Sequence, residues 1–167
     1  KVAPFEEGTV IHPEEVFKFE TVTDRMTTRI VDLLTPIGKG QRALIVAPPR
    51  SGKTVMIEHL AAALPLNHKE SKVIAMLIDE RPEEMTALRR ALPKAEVLGT
   101  TNDCDLADHV RTSRLIMDRA KRLVEAGKDV VLFLDSLTRL ARAFNNYIGG
   151  SGRTMTGGLD IHAMEEP

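Results

Sequence analysis

Ala47-Pro48-Pro49-Arg50-Ser51-Gly52-Lys53-Thr54 is the stretch that decides the fold. It follows the apolar run at residues 43–46 and opens a helical pattern that starts at Lys53. A strand, a glycine-containing loop, Gly-Lys-Thr and then a helix is the context of a phosphate-binding loop, here with Ala47 in place of the first glycine. Such a loop wraps backbone N–H groups around an anion at a helix N-terminus, where the aligned peptide dipoles add partial positive charge. Gly52 would let the backbone come close to the phosphates, Lys53 would reach the β- and γ-oxygens, and the Thr54 hydroxyl would ligate Mg²⁺.

Outward from this loop the chain alternates between two textures. Apolar runs recur at residues 73–78, 96–98 and 129–134. Because they lack polar alternation, they predict strands buried on both faces, as in a parallel sheet. Between them lie helical patterns. Residues 53–63 form one, stopping at Pro65. Pro82 opens a second, with Glu83 and Glu84 in its first turn, and Pro93 ends it. Residues 106–126 form a third, with Leu106, Val110, Met117, Ala120 and Val124 on one face and Gly127 as its C-cap. Strand–helix alternation of this kind predicts an α/β fold with a mostly parallel sheet flanked by helices. Residues 1–35 are rich in Pro, Glu and Thr and read as a lead-in segment, with an edge strand at residues 16–20; residues 36–167 read as the core.

A phosphate-binding loop also requires a carboxylate for the Mg²⁺ shell at the end of a second buried strand. Asp135 stands there, although an acid in that position also serves as a helix N-cap. Glu80 ends the run at 73–78, on the sheet edge where such folds bind ligands, and is placed to orient or deprotonate a water. The alternative is that Asp79 caps the helix at Pro82 and Glu80 is solvated. Arg139 and Arg142 follow Asp135 at helical spacing, facing either nucleotide, a neighbouring subunit or solvent. The glycine-rich residues 149–158 carry one cation, Arg153, with the hydroxyls of Thr154 and Thr156 close after it; they suit either a linker or sugar–phosphate contact. His59, His68 and His109 read as surface residues without a role.

Composition narrows the classes further. The 167 residues carry a net charge of −1, which excludes a surface that is wholly a nucleic-acid footprint but not a local basic loop. One cysteine, Cys104, excludes an intramolecular disulfide, and the five histidines share no ligand spacing with it. No apolar run reaches the roughly 20 residues of a membrane helix. The chain begins with Lys1 and shows no secretory leader, so a portion of a longer cytoplasmic protein is expected.

Four stretches together resemble the Rho family of bacterial transcription termination factors: residues 38–54, 77–84 (Leu-Ile-Asp-Glu-Arg-Pro-Glu-Glu), 134–143 (Leu-Asp-Ser-Leu-Thr-Arg-Leu-Ala-Arg-Ala) and 151–160 (Ser-Gly-Arg-Thr-Met-Thr-Gly-Gly-Leu-Asp). The resemblance implies a RecA-like P-loop ATPase core that works as a homohexamer. Its implied activity is that of an ATP-driven 5′-to-3′ RNA–DNA helicase, with ATP and Mg²⁺ as cofactors. Single-stranded RNA would be its pore partner and the transcription complex an indirect one, with no membrane involved. By position it implies that Gly38, Lys39, Gly40, Gln41, Arg42 and Ala43 approach the nucleotide, and that Arg50, Ser51, Gly52, Lys53, Thr54 and Val55 cradle the phosphates. Arg81 would contact nucleotide. Glu80 and Lys53 would be catalytic, Thr54 and Asp135 would hold the metal, and Arg153, Thr154, Thr156 and Gly157 would grip RNA. It also implies that the arginine finger and further core strands lie beyond residue 167, which would leave the isolated chain inactive. A rotary-ATPase catalytic subunit and a nucleotide-binding module without turnover are the alternatives.

Overall fold

The computed structural model describes residues 3–48, 50–148 and 160. Their centre is a three-stranded parallel sheet in the order β2-β1-β3, from β1 (Lys72–Glu80), β2 (Glu96–Thr101) and β3 (Val130–Asp135). Around it, among the described residues, are five α-helices: α1 (Met26–Leu34), α2 (Lys53–Asn67), α3 (Pro82–Ala91), α4 (Leu106–Glu125) and α5 (Leu137–Ile148). A 3₁₀ turn, Phe5–Glu7, precedes them.

The central strand explains the layering. Alternate side chains of a strand face opposite sides, and β1 is apolar on both. Val73, Ala75 and Leu77 meet Leu60, Leu64, Met85 and Leu88 from α2 and α3. Ile74, Met76 and Ile78 meet Val110, Ile116, Leu140 and Phe144 from α4 and α5. The expected α/β sandwich, helices on both faces of a parallel sheet, is thus the observed one.

Four local expectations differ from the structure. Residues 43–46 form no strand: Leu44 is 73% and Val46 84% exposed, and among the described residues no strand lies beside β3 on the edge away from β1. An extended apolar run becomes a strand only when a neighbour takes its N–H and C=O groups, and here none does. Helix α2 runs through Pro65 to Asn67, because a proline so close to the end removes one intrahelical bond without stopping the last turn. The buried face of α4 is His109, Val110, Ser113, Ile116 and Ala120, whereas Leu106, Met117 and Val124 are exposed. Within residues 1–35, Phe17, Phe19 and Val31 pack into the core beside α2. That segment is tied down by polar contacts: the Phe19 and Glu20 amides donate to the Asp32 carboxylate, and Asn67 donates to the carbonyls of Lys18 and Glu20. The alternation at residues 16–20 is observed, though as a single antiparallel bridge, Val16 to Gly38.

Candidate functional site

The C-terminal ends of β1 and β3 lie side by side, with Leu77 opposite Asp135 in the register. Helix α2 points its N-terminus at this edge. Gly52, the N-cap, adopts the left-handed conformation (φ 90°), as does Arg50 before it (φ 62°). Ser51 closes the turn by donating its hydroxyl to the Pro48 carbonyl at 2.7 Å. No side chain caps α2 and its first turn has no acid, whereas α3 starts with Pro82 and carries Glu83 and Glu84. The first N–H groups of α2 therefore have no side-chain acceptor among the described residues, and the helix opens with the cation Lys53.

Lys53 Nζ donates to Asp135 Oδ1, joining the loop to the end of β3. Asp135 is buried, and the pair keeps both charges compensated. Thr54 and Val55 are exposed on the first turn of α2.

Glu80 sits at the end of β1, only 4% exposed. Burial pushes its carboxyl pKa above the usual carboxylate range; the Arg81 N–H at 3.2 Å and the Arg139 guanidinium at 2.9 Å oppose that shift without reversing it. Arg139 also donates to the Asp79 carbonyl. Arg142 is exposed, so of the two arginines on α5 Arg139 alone turns to this edge. Arg81 is exposed at the N-cap of α3. Glu80 is therefore a buried, paired group and not a solvated one.

The approach segment divides. Lys39 is clamped between Glu15 and Asp129, both at 2.7 Å, and these pairs hold its ammonium charged far above the ordinary lysine range. Asp129 precedes β3, so Lys39 lies at the opposite end of that strand from Asp135, roughly 20 Å away for six residues of strand. Gly38 is buried against Pro13 beside it. Gly40, Gln41, Arg42 and Ala43 are exposed on the way back to the loop. Arg153, Thr154, Thr156 and Gly157 lie outside the described residues.

Thr54 and Asp135 supply oxygen donors, a set that suits Mg²⁺ shared with substrate phosphates and water. Among the described residues no three His, Cys, Asp or Glu cluster around a cation position, so the ion would depend on the nucleotide for its remaining ligands. A groove of about 680 Å³ lined in part by Met26, Ile30 and Leu33 lies near Asn67, at the other end of α2 from Lys53. It is not this site.

Sequence reading missed His109. It is 4% exposed and hydrogen-bonded to Thr100, at the same end of the sheet as Glu80. Its spacing to Ser113, Ile116 and Ala120 marks one helix face, but two polar residues on that face hid it.

Known proteins give this geometry a context. The profile of the ATP synthase alpha/beta family, nucleotide-binding domain, matches residues 27–157. Transcription termination factor Rho of Chromobacterium violaceum is 50% identical over 166 residues, 98% of this chain and 40% of that protein. Rho of Streptomyces coelicolor is 49% identical over 163 residues, 98% of this chain and 39% of that protein. The chain thus spans about 40% of the length of these relatives. Among solved structures, an ATPase from the type III secretion system of pathogenic bacteria superposes with a TM-score of 0.68 and 26% identity, over 81% of this chain and 40% of that one. No helix among the described residues is long and apolar enough to cross a membrane.

Proposed function

The chain belongs to the ATP synthase alpha/beta family, nucleotide-binding domain, and from that premise we propose that it is the ATP-hydrolysing, RecA-like core of a Rho-type transcription terminator. The observation that carries this reading is the meeting of two ion pairs, Lys53–Asp135 and Arg139–Glu80, at one strand edge beside the uncapped N-terminus of α2.

The reaction is attack of water on the γ-phosphorus of ATP, with the proton passing to a base and ADP leaving. Phosphate oxygens at the start of α2 would compete with Asp135 for Lys53, the group that now pairs with it. Thr54 and Asp135 would hold Mg²⁺, and the chemistry it would supply is neutralisation of charge on the phosphate oxygens. Glu80, more basic than an exposed carboxylate because it is buried, aligns the water and takes its proton. Arg139 keeps that carboxylate in place. Catalysis on this reading is positional and electrostatic. Arg50, Ser51, Gly52 and Val55 complete the cradle, and Arg81, exposed at the entrance to α3, reaches the nucleotide. Gly38 and Lys39 act at a distance, by anchoring the segment that leads to the loop.

At the scale of the whole protein the reading is a cytoplasmic homohexamer that hydrolyses ATP to move 5′-to-3′ along single-stranded RNA and release transcripts. Arg153, Thr154, Thr156 and Gly157 would grip the RNA, and a neighbouring subunit would supply an arginine to the phosphates. The test is ATP turnover by the full-length protein with and without cytosine-rich single-stranded RNA, comparing wild type with Glu80→Gln. RNA-stimulated turnover, abolished by the substitution, is expected. The match to a secretion ATPase favours a second reading, a family ATPase that does not act on RNA. Turnover indifferent to RNA would select it.

A further inference from the structure

Glu80 reaches its position through an irregularity in β1. In the register of β1 with β2, Leu77 lies opposite Gly99 and Glu80 opposite Thr101, so three steps on one strand match two on the other. The extra residue is taken up at Asp79, which has a left-handed φ of 58°. One inserted residue moves every later side chain to the other face of the strand. The direction of Glu80 therefore depends on this bulge being kept.

A buried polar pair, Thr100 on β2 and His109 on α4, adjoins the bulge. The Asp79 N–H donates to Thr100 Oγ1 at 3.4 Å, and Thr100 Oγ1 lies 2.6 Å from His109 Nδ1. The Thr100 hydroxyl has two lone pairs and one proton, so it accepts from Asp79 and still shares a second hydrogen bond with His109 Nδ1. Thr100 is 6% and His109 4% exposed. Packing α4 against β2 needs only apolar residues, and a buried hydroxyl and imidazole are costly unless bonded. What they add is a directed hydrogen bond to the one residue whose backbone departs from the strand. The carbonyl of that residue accepts from Arg139, which in turn pairs with Glu80.

We propose that Thr100 and His109 are positioning residues for ATP hydrolysis: their hydrogen bond holds the Asp79 bulge in the form that sets Glu80 and Arg139. The proposal rests on Glu80 being the group that handles the water. Thr100→Val keeps the shape of the side chain and removes the acceptor for Asp79; Thr100→Ser restores it. His109→Leu removes the Nδ1 partner of Thr100, and His109→Asn keeps a hydrogen-bonding group near that position.

The experiment measures kcat and KM for ATP in the full-length protein with RNA present, and melting temperature beside them. Thr100→Val and His109→Leu are expected to lower kcat roughly tenfold or more while KM changes by less than about twofold, since the phosphate cradle is untouched. Thr100→Ser and His109→Asn should recover most of the loss. If Thr100→Val does not fold, the pair at His109 gives the same comparison. Unchanged kcat in folded Thr100→Val or His109→Leu, a loss confined to KM, or no recovery in the conservative variants overturns the proposal. Glu80→Gln separates the two levels. Its loss of turnover with a normal Thr100→Val removes this inference alone, whereas an active Glu80→Gln removes the reading of Glu80 and this inference with it.

Discussion

Glu80 combines burial with charge, and the combination makes a test of stability as well as of turnover. Its carboxyl pKa is raised above the ordinary glutamate value of 4.5, burial being the larger cause and Arg139 an opposing one. A folded-state pKa above the unfolded one means that the native state binds the proton more tightly. Stability from this residue is thus greatest below about 4.5 and is lost as pH rises through the raised value. A glutamine side chain does not titrate and would escape that loss. Glu80→Gln should therefore melt close to wild type near pH 4 and above wild type near pH 8, while losing turnover. A lower melting temperature at the higher pH would mean that the ion pair to Arg139 outweighs desolvation. Sequence placed Glu80 at the strand end because the apolar run stops there. It left the solvated alternative open, since burial of an acid after a strand depends on what lies over it. Arg139 does that covering, and only the fold brings α5 to β1.

Two glycines show how elements differ in what they demand of a residue. Gly127 has φ 74° and ends α4 with the Lys128 N–H on the Leu123 carbonyl and the Gly127 N–H on the Val124 carbonyl, the bond pattern of a Schellman cap. A Cβ added there meets nothing within 4 Å, so Gly127→Ala should cost only the left-handed conformation, about 1 kcal/mol. Gly99 has φ 153°, and a Cβ there would lie 1.8 Å from the Leu77 carbonyl oxygen. Gly99→Ala must therefore force β2 away from β1 next to the bulge, with an expected loss of more than about 3 kcal/mol. Denaturant midpoints of the two variants check the contrast; equal losses would refute it. The C-cap was legible because glycine after a helical run has one common use. Gly99 was not, because sequence shows that a strand contains a glycine but not which backbone approaches it. The face of α4 is hidden for a related reason: apolar spacing points to Leu106, Met117 and Val124, while the buried stripe runs through His109 and Ser113.

The whole sheet is asymmetric in its hydrogen bonding, and this sets the order in which its amides should exchange. β1 has a parallel partner on each edge, whereas β2 and β3 each have one among the described residues. The side chains of β1 from Val73 to Ile78 are also buried throughout. Amide exchange reports the free energy of the opening that exposes each N–H, so the β1 amides should be the slowest in the molecule. Amides of β3 that point away from β1 should exchange much faster than those that point toward it. Residues 42–47 should exchange near intrinsic rates, since no backbone hydrogen bond in the described structure uses their N–H groups. These residues are also where sequence reading and structure part most clearly. The run at 43–46 has the composition of a buried strand, but composition expresses a preference that only a lateral neighbour can satisfy. The strands at 73–78, 96–98 and 129–134 were read correctly because β1 pairs with each of the others directly. Exchange measured on the 167-residue chain, resolved by residue, decides the matter. Protection at Leu44 and Val46 equal to that of Ile74 and Met76 would show a fourth strand and return the loop to the strand–loop–helix form that the sequence predicts. Fast exchange there, with slow exchange confined to β1 and the inner edges of its neighbours, would establish that the phosphate loop is held from one side, by α2 and the Lys53–Asp135 pair.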